Sequence, residues 1–293
     1  MSLPVSVTSS KSGSVSYEYD FRGNRTKMTD STGVTAFSYS PLSELVSETH
    51  GDISKSYSYD KNSARTAFTL SKGGTNEISY RYDASGNRLY LDQTGQESLE
   101  YGYLTGNILC YNYKYDTARE EYADYSYDNN GNLLSKTGVP VNITNTYDGF
   151  NRLVSASVEG GSSASYEYNG DGLRTAKTAK GTRTDFIWDG DRLVCEISGE
   201  SVTVYKYGNR LFGFEKDGVK KYYNFNGHGD VTGITNSSYT QIKSYEYDAF
   251  GVEKNPDPAD TNPFRYCAEY YDAETGYIYL RARYYDVKDG RFI

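Results

Sequence analysis

The residues with the most chemical promise stand near the end of the chain. In the stretch ARYYD (282–286), Arg283 lies between a small and an aromatic residue, and Asp286 and Asp289 follow at turn positions. Two readings meet there. Arg283 is either a catalytic side chain or one more charged residue on a tyrosine-rich sheet. In the second reading it alternates along a strand with Arg281 and pairs with a carboxylate across the sheet, worth about 0–1 kcal/mol when exposed. Other reactive types are sparse. His50 and His228 are isolated, which argues against a metal or a triad and for surface or turn positions; His228 sits in NGHGD, where a turn is the simplest account. Cys110, Cys195 and Cys267 are odd in number, far apart and without CxxC spacing, so neither a disulfide framework nor a zinc site is indicated, and small buried residues are expected. No cofactor and no metal are expected. Acids are plentiful but repetitive. Asp20, Asp83, Asp128 and Asp148 each follow a tyrosine in the same local setting, whereas glycoside hydrolysis needs one unique pair of carboxylates at a defined separation. They are expected to be turn residues.

The elements that position these residues repeat. YEYDFRGNR (17–25), YRYDASGNRL (80–89), YSYDNNGNLL (125–134), TYDGFNRL (146–153), YEYNGDGLR (166–174), IWDGDRL (187–193), YKYGNRL (205–211) and YEYDAFG (245–251) are variants of one unit, with weaker copies between them. The aromatic just before each turn is Tyr19, Tyr39, Tyr59, Tyr82, Tyr103, Tyr127, Tyr147, Tyr168, Trp188, Tyr207, Phe225, Tyr247 and Tyr271, a period of about 21 residues along nearly the whole chain. Aromatic-x-aromatic spacing puts both rings on one face of a strand and a polar residue on the other. The Asp or Asn that follows, then Gly-Asn, supplies a side-chain cap and a positive φ for a tight turn. Each unit therefore reads as strand, turn, strand, and none can bury its face alone. The expected fold is all-β: antiparallel hairpins of about 21 residues wound into one spiralling sheet, a β-solenoid or partial shell.

Composition sets limits on function. Only 37% of the residues are hydrophobic and 33 are tyrosine, so the core must be built largely from rings whose hydroxyls need partners. A net charge of −8 and a pI near 5.0 argue against a nucleic-acid surface. No apolar signal region opens the chain and no run approaches eighteen apolar residues, so neither a signal peptide nor a membrane span is expected. There is no helical pattern. KNPDPADTNPF (254–264) is a Pro/Asp/Asn loop, and YNYKYDTAREEYADYSYD (111–128) places an extra tyrosine-rich strand in one period. The expected organisation is a repeat sheet over 15–253, a connecting loop over 254–262 and a strand-like segment over 263–293 packed as part of the same domain.

The YD-x-x-GN-R/L units resemble the YD repeats of bacterial Rhs proteins, whose relatives include the C subunits of Tc toxins, wall-associated toxins of Gram-positive bacteria and animal teneurins. The segment PFRYCAEYYDAETGYIYLRARYYDVKDGRFI (263–293) resembles the Rhs-associated core, and YYNFNGHGDVTGITN (222–236) is similar to the stretch that precedes it. The resemblance implies a hollow β-shell that encloses a C-terminal toxin in a secreted or cell-surface parent. It implies that the core segment closes one end of that shell and frees the toxin by aspartyl-type autoproteolysis. Arg283 matches the family's autocleavage arginine. The two Asp-Pro-x-Gly boxes that would supply the acids do not follow it, and the one Asp-Pro, Asp257-Pro258, precedes the core. The chain is therefore expected to be a shell without its effector, not an enzyme, and not self-cleaving. Its expected partners are the enclosed toxin or missing shell segments, and further copies of itself through exposed strand edges. The alternative is a carbohydrate or cell-surface binding module that uses its tyrosine faces on glycans. Exposed aromatic rows would favour that reading and buried rings would not.

Overall fold

The computed structural model describes residues 3–9, 13–94, 98–114, 122–138 and 142–293. The fold is all-β, as the period-two pattern predicts: among the described residues 24 strands belong to one antiparallel sheet and four short strands to a second. Among the described residues the helical element is a single 3-10 turn, Tyr266–Ala268, and no helix is long and apolar enough to cross a membrane. The chain divides into two compact units, residues 1–124 and 125–293. The irregular stretch at 111–128 contains the paired strands Ile108–Lys114 and Tyr122–Tyr127; residues 115–121, between them, lie outside the described residues.

In the first unit the repeat shows its working parts. Asp20 accepts the N–H groups of Arg22 and Asn24 on Oδ1, both at 2.9 Å, while the Asn24 side-chain amide donates to Oδ2 at 2.8 Å. Asp83 does the same with Ser85 and Asn87. The recurring acids are thus turn caps, as their repetition implies. The turn closes through a residue at positive φ: Gly23 (+86°) and Gly86 (+82°), but Ser43 (+64°) and Ser63 (+62°) in two repeats that lack the glycine. Just before each turn the ladder slips by one residue, for example between Glu18 and Tyr19 and between Ser38 and Tyr39. This bulge re-aims the marker aromatic, and its hydroxyl donates to a carbonyl of the preceding repeat: Tyr39 to Arg25 at 3.0 Å, Tyr59 to Leu45 at 2.9 Å, Tyr103 to Arg88 at 2.7 Å. These repeats of the tyrosine core therefore satisfy the polar tips of their marker rings, whereas the buried hydroxyls of Tyr147 and Tyr166 in the second unit have no hydrogen-bond partner among the described residues.

The second unit reuses the device. Tyr168 donates to Leu153, Tyr207 to Leu193 and Tyr247 to Val231. At position 188 the indole N–H of tryptophan takes over, donating to Arg174 at 2.7 Å. What differs is burial of the ring two residues earlier. Tyr17, Phe37 and Tyr57, in the first three repeats, are half-buried, whereas Tyr80 and Tyr101, later in the same unit, are 3% and 5% exposed. Tyr166, Phe186, Tyr205, Tyr223 and Tyr245 of the second unit are 3–6% exposed. Residues 263–293 lie over these rings. They form the four-stranded sheet Tyr270–Asp272, Tyr277–Tyr279, Tyr284–Asp286 and Arg291–Phe292. Tyr284 packs on Tyr166, Tyr270 on Phe186 and Phe264 on Tyr205, with ring centroids 5.6, 5.4 and 4.7 Å apart. Where the repeat has Asn145 in place of a ring, its amide donates to Leu133 O at 3.0 Å and meets the Tyr277 hydroxyl at 3.4 Å. The loop before this segment is held by the Lys243–Asp257 pair at 2.9 Å and by buried Asn262, which donates to Phe264 O.

Three expectations change. Arg281 has φ +62° and lies in a bend ahead of the strand Tyr284–Asp286, so Arg281 and Arg283 do not alternate along one strand. The cysteines are not fully buried: Cys110 and Cys195 are half-buried and Cys267 is exposed, because the inward positions of this sheet are taken by rings and long aliphatic side chains. His50 lies in the strand Leu45–His50, where Nδ1 meets the Thr35 hydroxyl at 3.0 Å, and is not a free surface group.

Candidate functional site

The densest chemistry in the molecule lies where residues 263–293 meet the repeats of the second unit, and its centre is Arg174. This residue begins the return strand of YEYNGDGLR and points inward, where Leu153 and Leu193 stand in the neighbouring repeats. Its guanidinium is 1% exposed and grips Asp272 in a fork, Nη1 to Oδ2 at 2.6 Å and Nη2 to Oδ1 at 3.1 Å. Five rings surround it, with Tyr279 nearest at 4.4 Å from the centroid and Phe186 and Tyr270 at 4.9 Å. Arginine suits the place because its planar, weakly hydrated cation stacks on rings while its edge binds a carboxylate bidentately. Lys177 adds a second cation, 2.8 Å from Asp272 and 3.0 Å from Glu274. Burial would raise the Asp272 carboxyl, but Arg174 and Lys177 outweigh it and hold the group below the ordinary range. One partner comes from the repeats and the other from the terminal segment, so the pair ties the two together. Leaving either charge alone costs about 3–5 kcal/mol.

A second buried cluster repeats the pattern with the opposite balance. Lys136 reaches both oxygens of Asp289, at 2.7 and 2.8 Å, and lies 3.7 Å from Asp286. Here two acids share one cation. Asp286 is pushed up to about 6, chiefly by burial and then by Asp289, against the pull of Lys136. Lys136, which burial would lower, is raised by the two carboxylates. Asp286 also caps a turn as expected, accepting the N–H of Lys288 at 2.8 Å.

Arg283 stands apart from these clusters. It is exposed, and its guanidinium lies 3.7 Å from the centroid of the Phe292 ring. Beside it is a cleft of about 20 Å³, lined by Arg152, Tyr168, Arg281 and Ile293, room for about one water. Arg281 pairs with Glu269 and donates Nε to Asp191 O at 3.3 Å. The structure thus separates Arg283 from Asp286 and Asp289, whose oxygens are engaged by Lys136 and by turn amides. A wider cleft of about 280 Å³, lined by Glu196, Tyr205, Tyr223, Lys243, Asp260 and Asn262, opens elsewhere in this unit. Burial raises the Glu196 carboxyl, which accepts the Tyr205 hydroxyl at 2.9 Å. His228 is in a turn, as NGHGD implies, but it is not isolated: Asp230 and Cys267 lie beside it. Burial pushes the Cys267 thiol up to about 11, with Asp230 and Glu269 adding to the effect, so it is not a thiolate at neutral pH.

Sequence reasoning found Arg283 and missed Arg174, Lys177, Lys136 and Asp272. The alignment of repeats places Arg174 at a phase held by leucine in several repeats and by Arg25, Arg65 and Arg88 in others, so the position alone does not name Asp272 as its partner.

The arrangement of turn caps, hydroxyl bonds and buried pairs positions a sheet and its cover. The teneurin YD-shell model matches residues 46–293. The chain belongs to the teneurin YD-shell family. Among curated proteins it is similar to the tRNA3(Ser)-specific nuclease WapA of Bacillus spizizenii and the tRNA nuclease WapA of Bacillus subtilis strain 168, each 32% identical over 266 residues, covering 87% of this chain and 10% of the relative. It is 27% identical to the double-stranded DNA deaminase toxin A of Burkholderia cenocepacia, covering 94% of this chain and 20% of that protein. The chain thus spans a tenth to a fifth of the length of these relatives. A crystal structure of TcdB2-TccC3-Cdc42 aligns over 95% of this chain and 20% of that chain, at 14% identity and a TM-score of 0.40. The YD shell is a structural domain, and toxin-type proteins carry it.

Proposed function

We propose that this chain is the shell and sealing portion of an Rhs-type toxin, and that it encloses an effector supplied by the rest of a longer protein. The observation that carries the proposal is the Arg174–Asp272 fork, a buried tie between a repeat and the terminal segment at 2.6 Å. A repeat sheet needs no such tie to be stable, but a container needs its cover fixed. In this reading residues 15–253 wind as the wall, 254–262 connect, and 263–293 close the end, with export placing the parent outside the cell. Strand edges left by an incomplete wall are covered by further shell segments or a second copy. The test is limited proteolysis of the longest natural gene product. A downstream domain that resists protease until Asp272→Ala opens the cover supports the proposal; a domain digested at the same rate in both proteins overturns it.

Arg283 is assigned the autocleavage arginine's place in that parent. Its exposure and its stacking on Phe292 leave it free to meet acids from downstream residues. The 293-residue chain is expected to keep an unchanged intact mass over days at several pH values, and a shorter product would contradict this. A carbohydrate-binding reading rests on the half-buried row Tyr17, Phe37 and Tyr57, where Arg25 stacks on two of the rings at 5.8 and 4.6 Å. A glycan array decides it: binding lost in Phe37→Ala would favour it, and an empty array would end it.

A further inference from the structure

The turn at 226–230 reverses an arrangement found in several repeats. There the turn opens on Asp and closes on Asn four residues later, as in Asp20–Asn24 and Asp128–Asn132. Here the order is reversed, Asn226 then Asp230. Asn226 performs the capping, accepting the N–H groups of His228 and Asp230 at 3.0 Å. The carboxylate is thereby moved to the closing position, beside an imidazole. His228 Nδ1 lies 2.9 Å from Asp230 Oδ1. Cys267 arrives from the terminal segment, held there because Val231 N–H donates to Arg265 O and Cys267 N–H donates to Asp230 Oδ1, both at 2.9 Å. Its Sγ is 3.9 Å from His228 Nδ1. The three donor atoms lie within 4.8 Å of one another.

We propose that His228, Asp230 and Cys267 form a three-ligand site for a zinc-class divalent cation, with the fourth position open to solvent. Zn–S and Zn–N bonds of ~2.3 and ~2.05 Å at tetrahedral angles place sulfur and nitrogen about 3.5 Å apart, and nitrogen and carboxylate oxygen about 3.3 Å apart. The present separations, 3.9 and 2.9 Å, bracket these values within about half an ångström; sulfur and carboxylate oxygen lie within 4.8 Å against about 3.6 Å at a tetrahedral edge, so rotation of the exposed Cys267 side chain toward the carboxylate is the movement that closes the site. A thiol, an imidazole and a carboxylate together select zinc or a similar borderline ion over magnesium or calcium. A supporting shell exists: Asn226 Nδ2 donates to Asp230 Oδ2 at 2.7 Å and fixes the carboxylate, the Cys267 N–H donates to Oδ1, whose second lone pair faces His228, and the Tyr266 ring packs on the imidazole with centroids 5.5 Å apart. On binding, the Cys267 sulfur gives its proton to solvent and its lone pair to the ion. The His228 Nδ1–H proton leaves likewise if that nitrogen becomes the ligand. The site joins a repeat turn to the terminal segment and stands whether or not the chain encloses an effector.

The test uses the 293-residue chain stripped with a chelator and titrated with Co²⁺, followed by Zn²⁺. One equivalent of Co²⁺ should produce a thiolate-to-metal charge-transfer band that Zn²⁺ abolishes. Cys267→Ser should remove the band, His228→Ala should weaken binding at least tenfold, and Asn226→Ala about tenfold. Far-UV circular dichroism confirms that each variant is folded; exposed Cys267 makes its serine variant the safest comparison. The proposal is overturned by the absence of stoichiometric uptake in the wild type, or by a band unchanged in Cys267→Ser, which would place the ion on Cys110 or Cys195.

Discussion

The two units carry the same repeat and end in different states. Arg25, Arg65 and Arg88 in the first unit occupy the place that Arg174 occupies in the second, starting the strand after a YD turn. In the first unit these arginines stack on rings of their own sheet: Arg25 on Phe37 at 4.6 Å and Arg88 on Tyr101 at 4.5 Å, with a hydrogen bond from Arg88 to the Tyr101 hydroxyl. In the second unit Arg174 stacks likewise but also binds Asp272, and the rings around it are buried. The repeat by itself leaves Tyr17, Phe37 and Tyr57 half-buried and buries Tyr80, Tyr101 and Arg88. In the second unit a segment from outside the period adds a charged partner and covers the rings.

The largest way to break this comparison is to remove the tie. Arg174→Met should cost the second unit about 3 kcal/mol by denaturant unfolding, because buried Asp272 loses its fork and keeps only Lys177 as a partner. Arg25→Met in the first unit should cost under about 1 kcal/mol, the scale of a half-exposed cation–π contact. Equal losses at the two positions would erase the distinction.

The Lys136 cluster sharpens the comparison through pH. Asp286 titrates at about 6 in the fold, against an ordinary value of 3.8, so the folded state holds that proton more tightly. Its contribution is fully present below about pH 4 and is lost as pH rises through 6, roughly 3 kcal/mol in all. Asp272 runs the other way: its folded value is depressed, so its contribution is present above about 3.8 and is lost as pH falls through the folded value. Asp286→Asn should flatten the fall in stability between pH 4 and 6. A profile unchanged by that substitution would show that Asp286 titrates normally.

Smaller effects probe the parts the units share. Tyr168→Phe removes bonds to Leu153 O and to the Tyr284 hydroxyl and should cost about 1–2 kcal/mol. Tyr39→Phe removes one bond and should cost about 1 kcal/mol. Ser63→Gly, at φ +62°, should stabilise the first unit by about 0.5–1 kcal/mol, since glycine takes that conformation without strain. Thermal unfolding with no gain would place the strain elsewhere.

These parts were not equally legible in the sequence. The turns and strands were readable because their causes are local: Asp20 caps residues two and four positions away, and aromatic spacing sets the face. The bonds from marker hydroxyls such as Tyr39, Tyr59 and Tyr168 to the previous repeat were half-readable, since a tyrosine core requires partners but not a particular carbonyl. The Arg174–Asp272 and Lys136–Asp289 pairs were not readable, for they join residues 98 and 153 positions apart, and no periodicity specifies such partners. Arg283 was found through a resemblance, and the exposure of its side chain explains why nothing in the fold depends on it. His228 was judged alone because Cys267 reaches it only after the terminal segment docks.

The central claim is that the terminal segment and the repeats of the second unit form one cooperative core fastened by Arg174 and Asp272. Native-state hydrogen exchange tests it most directly. The account predicts that amides of Tyr277–Tyr279 and of Ser163–Tyr168 exchange together, only on global unfolding of that unit, and that Asp272→Ala accelerates both while leaving Gly33–Tyr39 unchanged. Early exchange of Tyr277–Tyr279 in the wild type, with Ser163–Tyr168 still protected, would contradict it.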